Sequence, residues 1–451
     1  MTGLSMEKVS WELLLDISQM NSIETLYQHF LKYPQISTDS RNIKPNSIFF
    51  ALKGDNFNGN IFAEQSLNSG AAIAVIDDAN QKKDERYIVV KDTLKALQEL
   101  ANYHRKQLKI PVIGITGTNG KTTTKELTKI VLSKKYKTLA TQGNLNNHIG
   151  VPLTILSITN DIEIAVIEMG ANHIGEIKEL CEIAEPTHGI ITNIGKAHLE
   201  GFGSFEGVIK AKTELYQYLQ YHNLSVFINN DNAILTEHAT ELAQHKYGTK
   251  NNANYIGEIV ASDLFLQVKW HLQNSEDKYL VNSKLIGAYN FENVMAAITI
   301  GSYFKIAPHL ISVAIEEYTP SNNRSQVIKT SHNTLLMDAY NANPSSMKAA
   351  ITNFYSMKAE NKVVILGDMM ELGNDSAQEH QQVLDLLMGY QFHYVILIGN
   401  HFKKLSLPNF VLSFENIQMA SVELKKNPLK NSTILVKGSR KVQLEKLIEV
   451  L

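Results

Sequence analysis

The sequence predicts an α/β protein of three domains. A chain of 451 residues is too long for one hydrophobic core, and about 150 residues per domain gives three. Short apolar runs alternate with helical patterns over most of that length, the signature of strands covered by helices. At 112–123 the run Val-Ile-Gly-Ile-Thr-Gly-Thr-Asn-Gly-Lys-Thr-Thr takes a strand through a glycine turn into a helix.

The first domain, residues 1–108, reads as a small mixed α/β unit. Residues 47–52 form a strand ending at Lys53-Gly54, and 62–69 a helix stopped by Gly70 before a buried strand at 71–76. A charged helical segment, 92–108, leads into the next domain. The central domain, 109–318, alternates runs such as 162–167 and 189–194 with helical stretches, which predicts a mostly parallel sheet with helices on both faces. Ligands in such a sheet sit beyond the carboxyl ends of the strands, where Gly117, Glu168 and Asn193 fall. The third domain, 319–451, carries apolar runs at 334–337, 363–366, 394–398 and 434–436. It repeats the doubly wound pattern without the G-x-G-x-x-G of a dinucleotide site.

Composition excludes several classes of function. Forty-four per cent apolar and 20% charged residues describe an ordinary globular protein. Lys+Arg of 43 against Asp+Glu of 45 leaves a net charge of −2, with no basic footprint for nucleic acid or an anionic membrane. The single cysteine, Cys181, falls on a helical pattern with Ile174, Ile177 and Ala184 and reads as a buried thiol. No run approaches the ~18 apolar residues of a membrane span. The opening MTGLSMEKVSWELLLD shows no basic stretch followed by an apolar one. The expectation is a cytoplasmic, monomeric enzyme.

The turn at 117–123 carries the chemistry. Gly117-Thr118-Asn119-Gly120-Lys121-Thr122-Thr123 has Gly-x-x-Gly-Lys-Thr spacing, shorter than the common phosphate loop. Backbone N–H groups of such a turn, with the positive end of the helix, cradle phosphate oxygens. Lys121 neutralises terminal phosphates, and the Thr122 hydroxyl holds Mg²⁺. Glu168 ends an apolar strand, where a carboxylate needs a positive partner, and Mg²⁺ on a nucleotide supplies one; a strand-end salt bridge is the alternative. His198, in a loop after another strand, is the weakest of these candidates when taken alone.

Lys212 stands apart from its neighbours. On a helix over 205–221, Val208, Ala211, Leu215 and Leu219 line one face, and Lys212 falls near its middle. Lys210 projects with Glu214 and Gln217 toward solvent. An inward lysine requires an anionic partner, an altered charge state or a snorkelling pose; periodicity does not choose among them. Three polar clusters remain: Asn144, Asn146 and Asn147 between two glycines, Asn290 and Asn293 on one face of a helix opening, and Asp338 to Ser345 after a strand.

Together these pieces resemble the Mur ligases, ATP-dependent amide-forming enzymes of peptidoglycan synthesis. The resemblance runs in order along nearly the whole chain. It includes Thr38-Asp39-Ser40-Arg41, FFALKGDNFNGN, GTNGKTT, GNLNNHIGVP, EMGANHIGEI, NIGKAHLEGFGS, AKTELY, GAYNFENVMAA, MDAYNANPSSM, LGDMMELG and KGSR. The type it matches best adds D-alanyl-D-alanine to UDP-N-acetylmuramoyl-tripeptide, so these two small molecules and ATP are the implied substrates. The resemblance implies UDP-substrate contacts at Asp39, Ser40 and Arg41, and muramoyl-peptide contacts at Asn144 and Asn147. It implies a metal site at Glu168 and His198 and a carboxylated, hence anionic, Lys212. ATP contacts are implied at Asn290, Arg324 and Asp338. Two departures stand out: Tyr289 replaces the family's usual histidine in Gly-x-His-Asn, and Arg324 follows Ser-Asn-Asn rather than Pro-Gly. The competing readings are the ligase adding the third residue, a folylpolyglutamate synthase-like enzyme, and a non-ligating ATP switch. The diaminopimelate-adding ligases typically carry Asp-Asn-Pro-Arg, whereas this chain has Asn341-Ala342-Asn343-Pro344.

Overall fold

A computed structural model describes residues 23–321 and 323–451; the opening stretch MTGLSMEKVSWELLLD and Asn322 lie outside the described residues. Contacts group the chain into two compact units. One contains the stretch ending at Gly114 with Leu139–Met169 and Lys178–Thr187. The other contains Ile115–Thr138, Gly170–Ile177 and His188–Leu451.

In the first unit a four-stranded parallel sheet runs Gln35–Ser37, Ser47–Phe50, Ile73–Ile76, Tyr87–Val89. Phe49, Ala74, Ile76 and Tyr87 pack from it onto Ala63 and Leu67 of the helix Ala63–Asn68. The strand expected at 47–52 stops at Phe50, because the chain turns there into a two-stranded ribbon, Lys53–Gly54 with Phe57–Asn58. The charged segment is the helix Thr93–Gln107, capped by Asp92, whose side chain accepts from the Lys95 N–H at 2.8 Å. Its Arg105 is buried, and its guanidinium donates to Ala184 O, Glu185 O and Leu108 O. Cys181 is buried as expected, in the helix Glu176–Ala184; Ile174 lies ahead of that helix and is exposed.

In the second unit, strands follow the order His188–Ile191, Ser225–Asn229, Ala243–Gly248, Tyr255–Ala261, Gln267–Leu272, Tyr279–Asn282. The first four are parallel and the last two antiparallel. The central sheet is mostly parallel, as expected, and residues 255–282 add an antiparallel meander to it. The meander escaped a search for apolar runs because it is half-solvated. Gln267–Leu272 buries Val268 and Trp270 but not the residues between and beside them, a period of two.

The carboxyl-terminal sheet has the order Gln326–Lys329, Thr334–Asp338, Thr433–Lys437, Lys362–Gly367, Tyr394–Ile398, Val411–Phe414. Only the first pair is antiparallel. Met347, Ile351, Phe354, Val383, Leu384 and Leu387 cover one face, and Ile417, Ala420, Leu424, Leu444 and Leu447 the other. The neighbours Thr334–Asp338 and Thr433–Lys437 therefore send their chains to opposite faces, which opens a crevice at their carboxyl ends. Asp338 and Lys437 pair there at 2.6 Å. Among the described residues no helix is long and apolar enough to cross a membrane.

Candidate active site

The glycine turn follows the buried strand Val112–Thr116 and starts the helix Lys121–Leu132. Gly117 has φ +143° and Gly120 φ +80°, a region that glycine adopts freely. A side chain at either would also collide: at Gly117 with the Thr192 hydroxyl, at Gly120 with the Asn293 amide oxygen. The loop is braced by the end of the next strand. Thr118 N–H donates to Asn193 O (2.9 Å), Asn119 N–H to Asn193 Oδ1 (3.0 Å), and Thr192 Oγ1 to Asn119 O (2.6 Å). Thr118 Oγ1 donates to Gly195 O at 3.1 Å. The first-turn N–H groups of a helix have no carbonyl four residues back, so this end suits an anion. Lys121 Nζ curls over it, donating to Gly117 O (2.6 Å) and Thr118 O (3.1 Å). Thr122 and Thr123 are half-buried in that first turn.

Lys212 is only 2% exposed, in the helix Phe205–Tyr221. Its Nζ donates to Ala171 O (3.3 Å) and stands 5.2 Å from the centre of the Phe202 ring. Burial, and next the charge of Lys121, push its pKa down to about 7, against the opposing pull of Glu176 and Glu214. Glu214, expected in solvent beside Lys210, is buried instead. The segment before helix Glu176–Ala184 covers it, and its carboxylate accepts from the Gly175 N–H at 2.6 Å. Helix periodicity locates a face but not what else packs upon it.

A lysine whose folded pKa lies near 7 and whose unfolded pKa is 10.5 binds fewer protons folded than unfolded between those values. Stability therefore rises with pH across that window, and the penalty of burying the charge is complete below it. Lys212→Met is expected to raise the melting temperature at pH 6 in CO₂-free buffer. The gain should shrink steadily from pH 7 toward 10, read by calorimetry; a gain that grows with pH contradicts the sign.

His198 occupies the left-handed region (φ 50°) ahead of the short helix Leu199–Phe202. Its Nδ1 meets Glu371 Oε2, and this contact holds the Glu371 carboxyl below its usual range. Two residues earlier, Lys196 Nζ pairs with the buried Glu379 at 2.9 Å. The loop that braces the phosphate turn is thus itself held by residues 371–379.

Asn290 is buried with its amide donating to Ile286 O (2.8 Å) and Ser325 Oγ (3.3 Å). Asn293 Nδ2 donates to Asn290 Oδ1, and Thr124 Oγ1 to Asn293 Oδ1, so the helix opening is tied to the phosphate-loop helix. Tyr289 is half-buried with its hydroxyl 3.3 Å from Ser325 Oγ, and desolvation raises its pKa. Arg324 lies flat on Tyr340, 3.6 Å from the ring centre, and Arg440 stands 5.7 Å from the same ring. Asp338 is engaged by Lys437. Asn343 Nδ2 donates to Asn119 Oδ1 (2.8 Å), bringing the 338–346 loop to the phosphate turn.

In the first unit, Arg41 grips Asp39 through Nε and Nη2, both at 2.8 Å; these hydrogen bonds hold the Asp39 carboxyl at about 2. Both are exposed, and Ser40 is half-buried beside them. Asn144 is exposed, and Asn147 accepts from the N–H groups of Ile149 and Gly150, opening the helix Gly150–Leu156. It is Asn146 whose amide reaches Glu168 Oε1, at 2.8 Å; Glu168 is the buried last residue of its strand. Among the described residues, no group of three His, Cys, Asp or Glu side chains is placed to hold a metal ion. Local spacing did not reveal Thr192 or Glu371, nor the partners of Asn146 and Asn343, because each of the four acts on a residue distant in the chain.

Three family models match in chain order. Residues 32–105 match the Mur ligase family catalytic domain, 115–301 the Mur ligase middle domain, and 323–440 the Mur ligase glutamate ligase domain. The UDP-N-acetylmuramoyl-tripeptide–D-alanyl-D-alanine ligase of Bacillus subtilis is 34% identical over 430 residues, 92% of each chain. The crystal structure of MurF from Acinetobacter baumannii superposes with a TM-score of 0.82 at 29% identity, covering 92% of both chains. MurF ligase from Thermotoga maritima, solved with ADP, has the same fold: TM-score 0.82 at 23% identity, covering 92% of this chain and 96% of that one. With three domain models matched in sequence order and a relative one-third identical along almost its entire length, the protein belongs to the Mur ligase family.

Proposed function

We propose that the protein is the ATP-dependent ligase joining D-alanyl-D-alanine to UDP-N-acetylmuramoyl-tripeptide, acting as a cytoplasmic monomer. The observation that carries this reading is the resemblance of nearly the whole chain to a relative of that name, with an intact braced phosphate loop. The tripeptide carboxylate attacks the γ-phosphate of ATP, forming an acyl phosphate and ADP; the dipeptide amine then attacks the acyl carbon and phosphate leaves. Gly117 to Thr123 seat the phosphates, and Lys121 leaves its loop carbonyls to meet the charge that develops on the transferred group. Asp39, Ser40 and Arg41 are the proposed contacts of the UDP end, and Asn144 and Asn147 of the muramoyl peptide. Asn290, Arg324 and Asp338 are those of the nucleotide.

Mg²⁺ suits the donors proposed for it, because the Thr122 hydroxyl and the buried Glu168 carboxylate are hard oxygen ligands. When bound it draws charge from the phosphates as a Lewis acid. The buried Lys212 amine, with a pKa near 7, is neutral in a large fraction of molecules at physiological pH, the form that adds CO₂ to become a carbamate. That turns a cation beside Lys121 into an anion suited to the metal, with His198 as the remaining candidate ligand.

The test is phosphate release in the presence of ATP and Mg²⁺. Release that requires both UDP-tripeptide and D-Ala-D-Ala is expected. Release with UDP-dipeptide and a diamino acid would select the third-residue reaction, and release without any peptide substrate would leave only an ATPase.

A further inference from the structure

The segment Leu366 to Gly373 takes no part in the chemistry above, yet it carries an acid placed against His198. We propose that Glu371 is a positioning residue: its carboxylate accepts a hydrogen bond from the Nδ1–H of His198, fixing the ring's orientation and leaving Nε2 as the nitrogen able to offer a lone pair. This rests on the ligase reading and deepens it.

Several independent features converge on that one contact. A carboxylate only accepts, so the meeting of Glu371 Oε2 with Nδ1 places the proton on Nδ1. Both partners have left-handed backbones, φ 50° at His198 and φ 64° at Glu371. Residues other than glycine enter this region uncommonly, and they stay there where the surroundings hold them. The surroundings hold both partners. The buried Asp368 carboxylate accepts from the N–H groups of His401 (2.9 Å) and Phe402 (3.0 Å), and Met369 N–H donates to His380 Nε2 (3.0 Å). Gly373 packs on Glu200, and Lys196 pairs with Glu379, so the two segments are clasped on both sides of the contact. The pair itself is open to water, with 24% of the His198 and 49% of the Glu371 side chain exposed. An ion pair this open to water adds little to stability, so its effect lies in the orientation of the ring.

Glu371→Ala is expected to lower kcat about 10–100-fold, the range seen when the acid behind a functional histidine is removed. KM for ATP and the melting temperature should stay near wild type. Glu371→Gln, which keeps an acceptor oxygen, should recover most of the loss. In a His198→Ala background the Glu371→Ala change should add less than about twofold, because it acts through the ring. Long-range ¹⁵N–¹H spectra, with the His198 signal assigned by its loss in His198→Ala, should show a Nδ1-protonated ring in wild type and mixed forms in Glu371→Ala. Full additivity in the double variant, or an unchanged ring signal, overturns the proposal. A wild-type protein without dipeptide-dependent phosphate release would sink the ligase reading instead, and the ring signal would still decide the role of Glu371.

Discussion

Lys121→Ala is expected to abolish ligation while the UDP-substrate still binds. Lys121 begins the helix whose amino end faces the turn, and its ammonium group lies on the loop carbonyls of Gly117 and Thr118. A positive group there meets charge that grows as the phosphoryl group transfers, so its removal is felt in the transition state more than in the ground state. Losing one such donor costs about 100–1,000-fold, or ~3–4 kcal/mol. The removal of a full charge beside three phosphates belongs at the top of that range. Steady-state phosphate release, with calorimetric titration of the UDP-substrate, measures both halves. Residual turnover above about one-tenth of wild type would remove Lys121 from the phosphate site. The variant has a second effect: the Lys121 charge is one of the forces depressing the Lys212 pKa, so its loss lets that pKa rise.

Lys212→Ala should be as severe and, unlike the first, partly reversible. The native side chain ends in a closed space bounded by Ala171 O and the Phe202 ring, with Glu176 and Glu214 nearby. Truncation leaves room for a small molecule where the lysine chain had been. If the working form of Lys212 is a carbamate, what the reaction lacks is a carboxylate at the end of that space. Formate, acetate or propionate at tens of millimolar should restore activity by about tenfold or more, and chloride at equal ionic strength should not. Full activity without any additive would exclude Lys212 from the reaction. A dead variant that no carboxylate revives would assign it a role as a cation.

The sequence made legible whatever depends on neighbours along the chain. The strand–turn–helix at 112–132 was written in glycine positions that the backbone angles require. The inward aim of Lys212 was written in the spacing of Val208, Ala211, Leu215 and Leu219, all buried. The burial of Glu214 was not, since a distant segment covers it. The meander at 255–282 was missed because alternation buries only half of each strand. Asn146 reaches Glu168, while its neighbours Asn144 and Asn147 drew attention, because three amides in a turn look alike until the turn is folded. Glu371 meets His198 across more than 170 residues, and no local pattern encodes that.

The bracing of Asn119 by Thr192 and Asn193 has a practical consequence. The heptapeptide at 117–123 does not carry its own shape alone; part of its scaffold is loaned by residues just past a strand some seventy positions downstream. Transplanting those seven residues into an unrelated host would therefore move the letters and leave the grip behind. Conversely, a mutational screen for weakened ATP use should return hits at 192 and 193, far from the motif that a sequence search would flag.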